Sequence, residues 1–175
     1  MKYYIIAGEA SGDLYGSKLI DEILSIDKKA EIRFWGGDNM IKSGGHNVKH
    51  IKELAFMGFY EVLKNITTII RNINFCKNDI KKFNPDRIIY IDYPGFNLKI
   101  CEWAKNNGYK NYYYISPQIW AWKENRIKSI KNNIDKLFVI FPFEQEYYKE
   151  KHDMDVEFYG CLLYTSPSPR DATLS

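Results

Sequence analysis

An aspartate at the carboxyl end of a buried strand can take a proton from a bound hydroxyl, and the stretch DRIIYIDYPGFN puts Asp92 in that place. Asp86 to Ile91 reads as the strand, and Tyr93-Pro94-Gly95 turns the chain back. Tyr90, Tyr93 and Phe96 draw the carboxyl partly out of water, which raises its pKa toward a range useful for a general base. A capping aspartate for the turn is the competing reading. A second set of polar groups lies in AGEASGDLYG, where Glu9, Ser11 and Asp13 follow the first apolar run. This turn has neither the G-x-G-x-x-G of a dinucleotide site nor the Gly-Lys-Ser/Thr ending of a phosphate cradle. Two carboxylates at a helix start repel phosphate, so the turn suits sugar hydroxyls. The alternative is that Asp13 only caps the helix and Glu9 only faces solvent. His46 and His50 are four apart, but Gly44-Gly45 before them argues for an extended segment with ends more than ~10 Å apart. They read as surface histidines, and no metal site is expected.

These groups need a scaffold, and the chain alternates strand and helix. Tyr3 to Ala7 is a buried strand; Gly8 and Gly12 allow a positive-φ turn, and Ser11 or Asp13 caps a helix over Leu14 to Ile26. Ala30 to Trp35 is a second strand, Asp38 to Ser43 a short helix, and Val48 to Ile51 a short third strand. Phe59 to Phe83 is the longest helical pattern, with Phe59, Ile66, Ile69, Ile70, Ile73 and Ile80 recurring at three and four and Arg71, Lys77, Lys81 and Lys82 at outer positions. It is either a core-facing helix with a basic edge or a helix that meets a membrane interface through Phe59, Ile66 and Ile70. Then come a helix over Phe96 to Asn106, a strand over Tyr112 to Ile115, and a loop carrying Gln118, Trp120 and Trp122. A helix follows around Ile127 to Ile134, then a strand over Leu137 to Phe141, a helix over Glu144 to Lys151 and an edge strand over Val156 to Tyr159. The class is α/β, a Rossmann-like parallel sheet with helices on both faces, whose ligand crevice lies outside the carboxyl ends of the strands.

Composition sets bounds. A chain of 175 residues is about one domain, and 45% hydrophobic with 27% charged residues is globular rather than disordered or fibrous. Cys76, Cys101 and Cys161 form no C-x-x-C and fit reduced thiols. The apolar run after Met1 is too short for a signal peptide, and no ~18 apolar residues run together. Trp120, Trp122, Lys123, Arg126, Lys128 and Lys131 are residue types a single-strand nucleic-acid module uses, yet a net charge of +3 supplies no wider basic field, so no nucleic-acid partner is expected. A non-enzymatic sugar-binding domain would share every feature of the first turn.

Five ordered blocks carry a resemblance: AGEASGDLYG (Ala7 to Gly16), MGFYEVL (Met57 to Leu63), IDYPGFN (Ile91 to Asn97), SPQIWAWKENRIKSI (Ser116 to Ile130) and FPFE (Phe141 to Glu144). Together they resemble the lipid-A-disaccharide synthases over Tyr3 to Gly160. The resemblance implies the N-terminal, acceptor-side half of a two-domain GT-B glycosyltransferase that joins UDP-2,3-diacylglucosamine to 2,3-diacylglucosamine 1-phosphate with inversion and releases UDP. It implies no metal or other cofactor, and a peripheral place on the cytoplasmic face of the inner membrane. Asp92 matches the acid taken as catalytic base, while Gly95 stands where many members have a second Asp. Glu9, Ser11 and Gly12 match the first motif, and Gln118 and Trp120 the central block. With Asp13 and Asn97 these make the expected substrate-binding set. Beyond Gly160 the chain reads CLLYTSPSPRDATLS, which has no strand or helix period and looks like sequencing-adapter read-through. Residues 161–175 are therefore set apart as a non-native tail, and a nucleotide-binding C-terminal domain is expected to be missing.

Overall fold

The computed structural model describes residues 1–54, 66–117, 119 and 124–160. The MGFYEVL block with Phe59, the positions of Gln118, Trp120 and Trp122, and the tail 161–175 lie outside the described residues. The element order is β1 (Lys2–Ala7), α1 (Ala10–Ile26), β2 (Glu31–Gly36), α2 (Asp38–Ser43), β3 (His46–His50), α3 (Ile66–Phe83), β4 (Arg87–Ile91), α4 (Pro94–Asn106), β5 (Asn111–Tyr114), α5 (Ile127–Asn133), β6 (Lys136–Val139), α6 (Pro142–His152) and β7 (Glu157–Phe158). Single 3₁₀ turns, Ile51–Glu53 and Glu124–Arg126, follow β3 and precede α5.

The strands form one sheet in the order β3-β2-β1-β4-β5-β6-β7, and every pairing is parallel. A parallel sheet is covered on both faces, so its central strands read as unbroken apolar runs: YYIIA in β1 and RIIYI in β4. Alternation divides them. Tyr4, Ile6, Trp35, Ile88 and Tyr90 pack with Ile73, Cys76 and Ile80 of α3 and Ile100 and Cys101 of α4 on one face. Ile5, Ala7, Phe34 and Ile91 pack with Ile20 of α1 and Met40 of α2 on the other. Cys76 and Cys101 are buried free thiols whose pKa values burial pushes far up, so neither is a nucleophile here.

A buried polar latch holds α3 to the sheet. Tyr4 Oη donates to Asp79 Oδ2 at 2.9 Å and accepts from Trp35 Nε1 at 2.9 Å, while Arg33 pairs with Asp79 at 2.9 Å. Three helices start earlier than expected, two of them for a common reason. The helices expected from Phe96 and Glu144 begin at Pro94 and Pro142, each at the first helical position, where the missing N–H costs nothing and the fixed φ suits the helix. The first helix likewise begins at Ala10 rather than Leu14. Its N-cap is Glu9, which makes no side-chain cap, so neither Ser11 nor Asp13 caps it.

Candidate functional site

The strand order reverses between β1 and β4: from β1 the sheet grows through β2 to β3 on one side and through β4 to β7 on the other. Helices leave opposite faces there, which opens a crevice outside the strand ends. The residues leaving β1 are Gly8 and Glu9, and those leaving β4 are Asp92 and Tyr93. A cleft of about 360 Å³ opens at this place, lined by Gly8, Glu9, Ala10, Ile51, Lys52, Leu54 and Tyr93.

Asp92 is half-buried. Its carboxyl is held above the ordinary carboxylate range, first by burial and second by the negative charge of Glu9, against a smaller opposing pull from the Tyr93 N–H. Tyr93 is raised by the same two causes. The backbone here is unusual: Asp92 has φ 45° and Tyr93 φ 50°, two successive non-glycine residues in the left-handed region. Ile115, just past the end of neighbouring β5, has φ 64°. The Asp92 carbonyl accepts from Tyr113 Oη at 2.5 Å and from Asn97 Nδ2 at 2.7 Å.

The glycines of the first turn serve packing rather than left-handed backbone, contrary to expectation. Neither Gly8 nor Gly12 has positive φ. A Cβ on Gly8 would lie 2.3 Å from the Tyr93 ring, so the missing side chain is what lets that ring lie against β1. A Cβ on Gly12 would meet Ala7 Cβ at 3.2 Å, where α1 crosses its own strand.

Asp13 is a correction to the expected pair of cleft carboxylates. It is 3% exposed, and its oxygens accept from the N–H groups of Gly37 (2.6 Å), Asn39 (3.1 Å) and Met40 (3.1 Å) and from Asn39 Nδ2 (2.9 Å). These are the free N–H groups at the start of α2, so Asp13 caps the next helix, not its own. Glu9 alone of the two carboxylates lines the cleft. Ser11 is exposed in the first turn of α1 and Gly12 is buried.

Asn97 is also moved from its expected role. It is fully buried, and its Nδ2 faces the carbonyls of Asp92, Ile91 and Ile6, the last two at 3.5 Å. It ties α4 to the ends of β1 and β4 and has no surface to offer a ligand. His46 and His50 sit at the two ends of β3 as extended chain; the His50 ring meets Asp38 Oδ1 at 3.2 Å and accepts from the Lys52 N–H. Ile70 of the expected membrane set is 52% exposed on α3; Phe75, which the pattern did not mark, is 48% exposed on the same helix. Ile73 and Ile80 face the core.

Tyr93, Ile51, Lys52 and Leu54 are cleft residues that sequence reasoning did not assign to ligand binding. Tyr93 had a signal in Gly8, the residue whose missing side chain makes room for its ring. Lys52 had none, since only the sheet order brings the end of β3 to this mouth. A second hollow, about 310 Å³ between Tyr3, Leu19, Ile89, Tyr112, Tyr114 and Phe138, lies on the sheet face carrying α1. Its lining has no carboxylate or amine.

Residues 3–171 match the family described as lipid-A-disaccharide synthetase. The chain belongs to that family. Relatives named lipid-A-disaccharide synthase include those of Coxiella burnetii, 39% identical over 165 residues, and Geobacter metallireducens, 42% identical over 165 residues. The alignments cover 94% of this chain in both cases, but only 44% and 43% of those relatives, so the chain spans under half of their length. Among solved structures it is similar to UDP-GlcNAc 2-epimerase from Neisseria meningitidis bound to UDP-GlcNAc, with TM-score 0.55 and 13% identity over 79% of this chain and 40% of that one. It is also similar to the glycotransferase of kitacinnamycin, with TM-score 0.55 and 10% identity over 90% and 50%. At such identities the likeness speaks for the Rossmann-like fold alone.

Proposed function

We propose that this chain is the acceptor-side half of a glycosyltransferase of lipid A assembly, which transfers the sugar of UDP-2,3-diacylglucosamine to 2,3-diacylglucosamine 1-phosphate and releases UDP. The observation that carries the reading is Asp92: a half-buried carboxylate at the switch point, beside a cleft, with its proton affinity raised by burial and by Glu9. In a single displacement the acceptor hydroxyl attacks the anomeric carbon from the face opposite UDP, so the centre inverts. Asp92 takes the hydroxyl proton as the oxygen bonds, and the pair of electrons of the breaking bond leaves with UDP. Tyr93 offers a ring face for the acceptor sugar, and Glu9 an acceptor for its hydroxyls. Lys52 is already paired with Asp38 at 3.1 Å and Glu9 is negative, so the described residues that line the cleft supply little to hold a diphosphate. That task falls to a C-terminal half such as the relatives' extra length provides. Residues 161–175 have no part in this scheme.

The diacylated substrates place the reaction at a bilayer, on its cytoplasmic face. In α3, exposed Ile70 and Phe75 lie in a helix that also carries Arg71, Lys77, Lys81 and Lys82, a combination suited to reversible binding at an anionic surface. Ile70→Ser should weaken binding to vesicles containing anionic lipid with little change in melting temperature, whereas Phe75→Ser should weaken it and also cost stability, because the Phe75 ring lies against Trp35 and Lys49. Unchanged vesicle binding would remove the membrane role. The reaction itself is tested by UDP release from UDP-2,3-diacylglucosamine in the presence of 2,3-diacylglucosamine 1-phosphate, with the protein extended by the C-terminal half. Release that requires both acylated partners is expected. Equal turnover of a donor without acyl chains would point to another UDP-sugar reaction. The 175-residue chain alone should release no UDP, and turnover within tenfold of the extended protein would place the nucleotide site in this half.

A further inference from the structure

We infer that Tyr113 and Asn97 are positioning residues for Asp92: from outside the cleft, they hold its peptide in the left-handed turn that sets the direction of its carboxyl. The inference rests on the reading of Asp92 as the base.

Two successive non-glycine residues at positive φ persist only where the surroundings over-determine them. At Asp92 and Tyr93 the determinants can be named. The carbonyl of Asp92 lies between ψ of Asp92 and φ of Tyr93, so fixing that oxygen fixes both torsions. It accepts from Tyr113 Oη at 2.5 Å and Asn97 Nδ2 at 2.7 Å, two donors from different elements, β5 and α4. The Asp92 N–H donates to the Tyr114 carbonyl at 3.3 Å, which fastens the other side of the residue to β5. With N–H and C=O both held, the Cα–Cβ bond of Asp92 has one direction.

Both clamps are themselves held. Tyr113 is fully buried, its ring stacked on Tyr90 at 5.8 Å, and its hydroxyl also lies against the Asn97 amide. Asn97 can sit only one way round: its Nδ2 faces three carbonyls, and a flipped amide would set oxygen against all three. Both donor side chains are sealed from solvent, so relaxing the turn would leave a buried hydroxyl and a buried amide unpaired. Neither side chain lines the cleft, so any effect on the reaction passes through the backbone of Asp92.

The test uses the protein with both halves. Tyr113→Phe keeps the ring and its stacking and deletes the hydroxyl, with its hydrogen bond to the Asp92 carbonyl and its contact with the Asn97 amide. Misplacement of a reacting group by about 1 Å can cost ~100-fold, so a fall of ~10- to 100-fold in kcat is expected, with KM nearly unchanged. The acid limb of the kcat/KM profile should also move toward the ordinary carboxylate range, as the freed carboxyl turns to water. Tyr4→Phe is the control: it deletes an equally buried hydroxyl with two hydrogen bonds, those to Asp79 and Trp35, and should cost stability while leaving kcat and the limb in place. If Tyr113→Phe matches Tyr4→Phe in kcat and limb, or if its crystal structure keeps positive φ at Asp92 and Tyr93, the inference is overturned. Should Tyr113→Phe not fold, Asn97→Ala carries the same expectations and the same overturning results. Asp92→Asn is measured alongside. Full turnover there ends the reading of Asp92 as base and this inference with it, whereas an inactive Asp92→Asn beside an unaffected Tyr113→Phe ends only the inference.

Discussion

At the switch point one aspartate lies in the first turn of the helix that follows β1 and another in the turn after β4, and the protein uses them in opposite ways. After β1 the backbone is unstrained and Asp13 is buried, its oxygens taken up by N–H groups of Gly37, Asn39 and Met40 and by the Asn39 side chain. After β4 the backbone is forced into the left-handed region, and Asp92 is half-buried with its proton affinity raised. A carboxylate whose acceptor capacity is filled by N–H groups is part of the scaffold. One kept short of donors, in a turn that costs energy to hold, is available for chemistry.

Asp92→Asn tests the contrast most severely. It preserves shape and removes the base, so turnover of the extended protein should fall by ~10²- to 10⁴-fold with the melting temperature held; a loss below about tenfold would sink the assignment. Asp13→Ala should show the reverse. It strands the N–H groups at the start of α2, so a cost of about 2–4 kcal/mol is expected from a lost cap and unsatisfied buried donors. For a domain of this size each 1 kcal/mol lowers Tm by ~2–4 °C. At a temperature where the variant is folded its kcat should stay near wild type, and a selective loss of activity would break the comparison.

Gly8→Ala joins the two turns, because the added Cβ would sit 2.3 Å from the Tyr93 ring. The ring must move, at a cost of ~1–3 kcal/mol in stability, and the acceptor KM should rise; an unchanged KM would show that the ring does not meet the acceptor. Glu9→Gln should have the smallest effect. Glu9 adds to the raised pKa of Asp92, and a raised pKa means the base form appears only at higher pH. Removing the charge should shift the acid limb of kcat/KM to lower pH, and a limb that stays in place would mean Glu9 does not sense Asp92 in the working enzyme.

Much of this was legible in the residues. The apolar runs YYIIA and RIIYI announced buried parallel strands, and α2 fell on Asp38–Ser43 as expected because glycines bracket it. Asp92 stood at the strand end where it was sought. What was not legible depended on partners far along the chain. Asp13 finds its N–H groups 24 to 27 residues away, across a strand it does not pair with in any local pattern. Asn97 sits in the motif beside Asp92, but only the sheet order shows it spanning β1 and β4 from beneath. Lys52 reaches the cleft from β3, two strands away from β1. Spacing reports which face a residue takes; it does not report which distant backbone will claim it.

The same strand order also sets the sequence of events during synthesis. Lys2–Ile6 of β1 can pair with Glu31–Trp35 of β2 as soon as the first helix has closed the loop between them. The other side of β1 must wait for β4, since Lys2 N–H meets Asp86, 84 residues on, and Tyr3 meets Arg87. Closing so long a loop is entropically late, and long-range parallel pairing is intrinsically slow. Until Ile91 has left the ribosome, β1 presents an unpaired edge with an apolar Ile5–Ala7 end, the kind that neighbouring nascent chains and chaperones bind. The crevice that holds Asp92 is thus the last seam of the sheet's first half to be sewn, and a fault anywhere between Glu31 and Arg87 reaches the site by delaying its assembly.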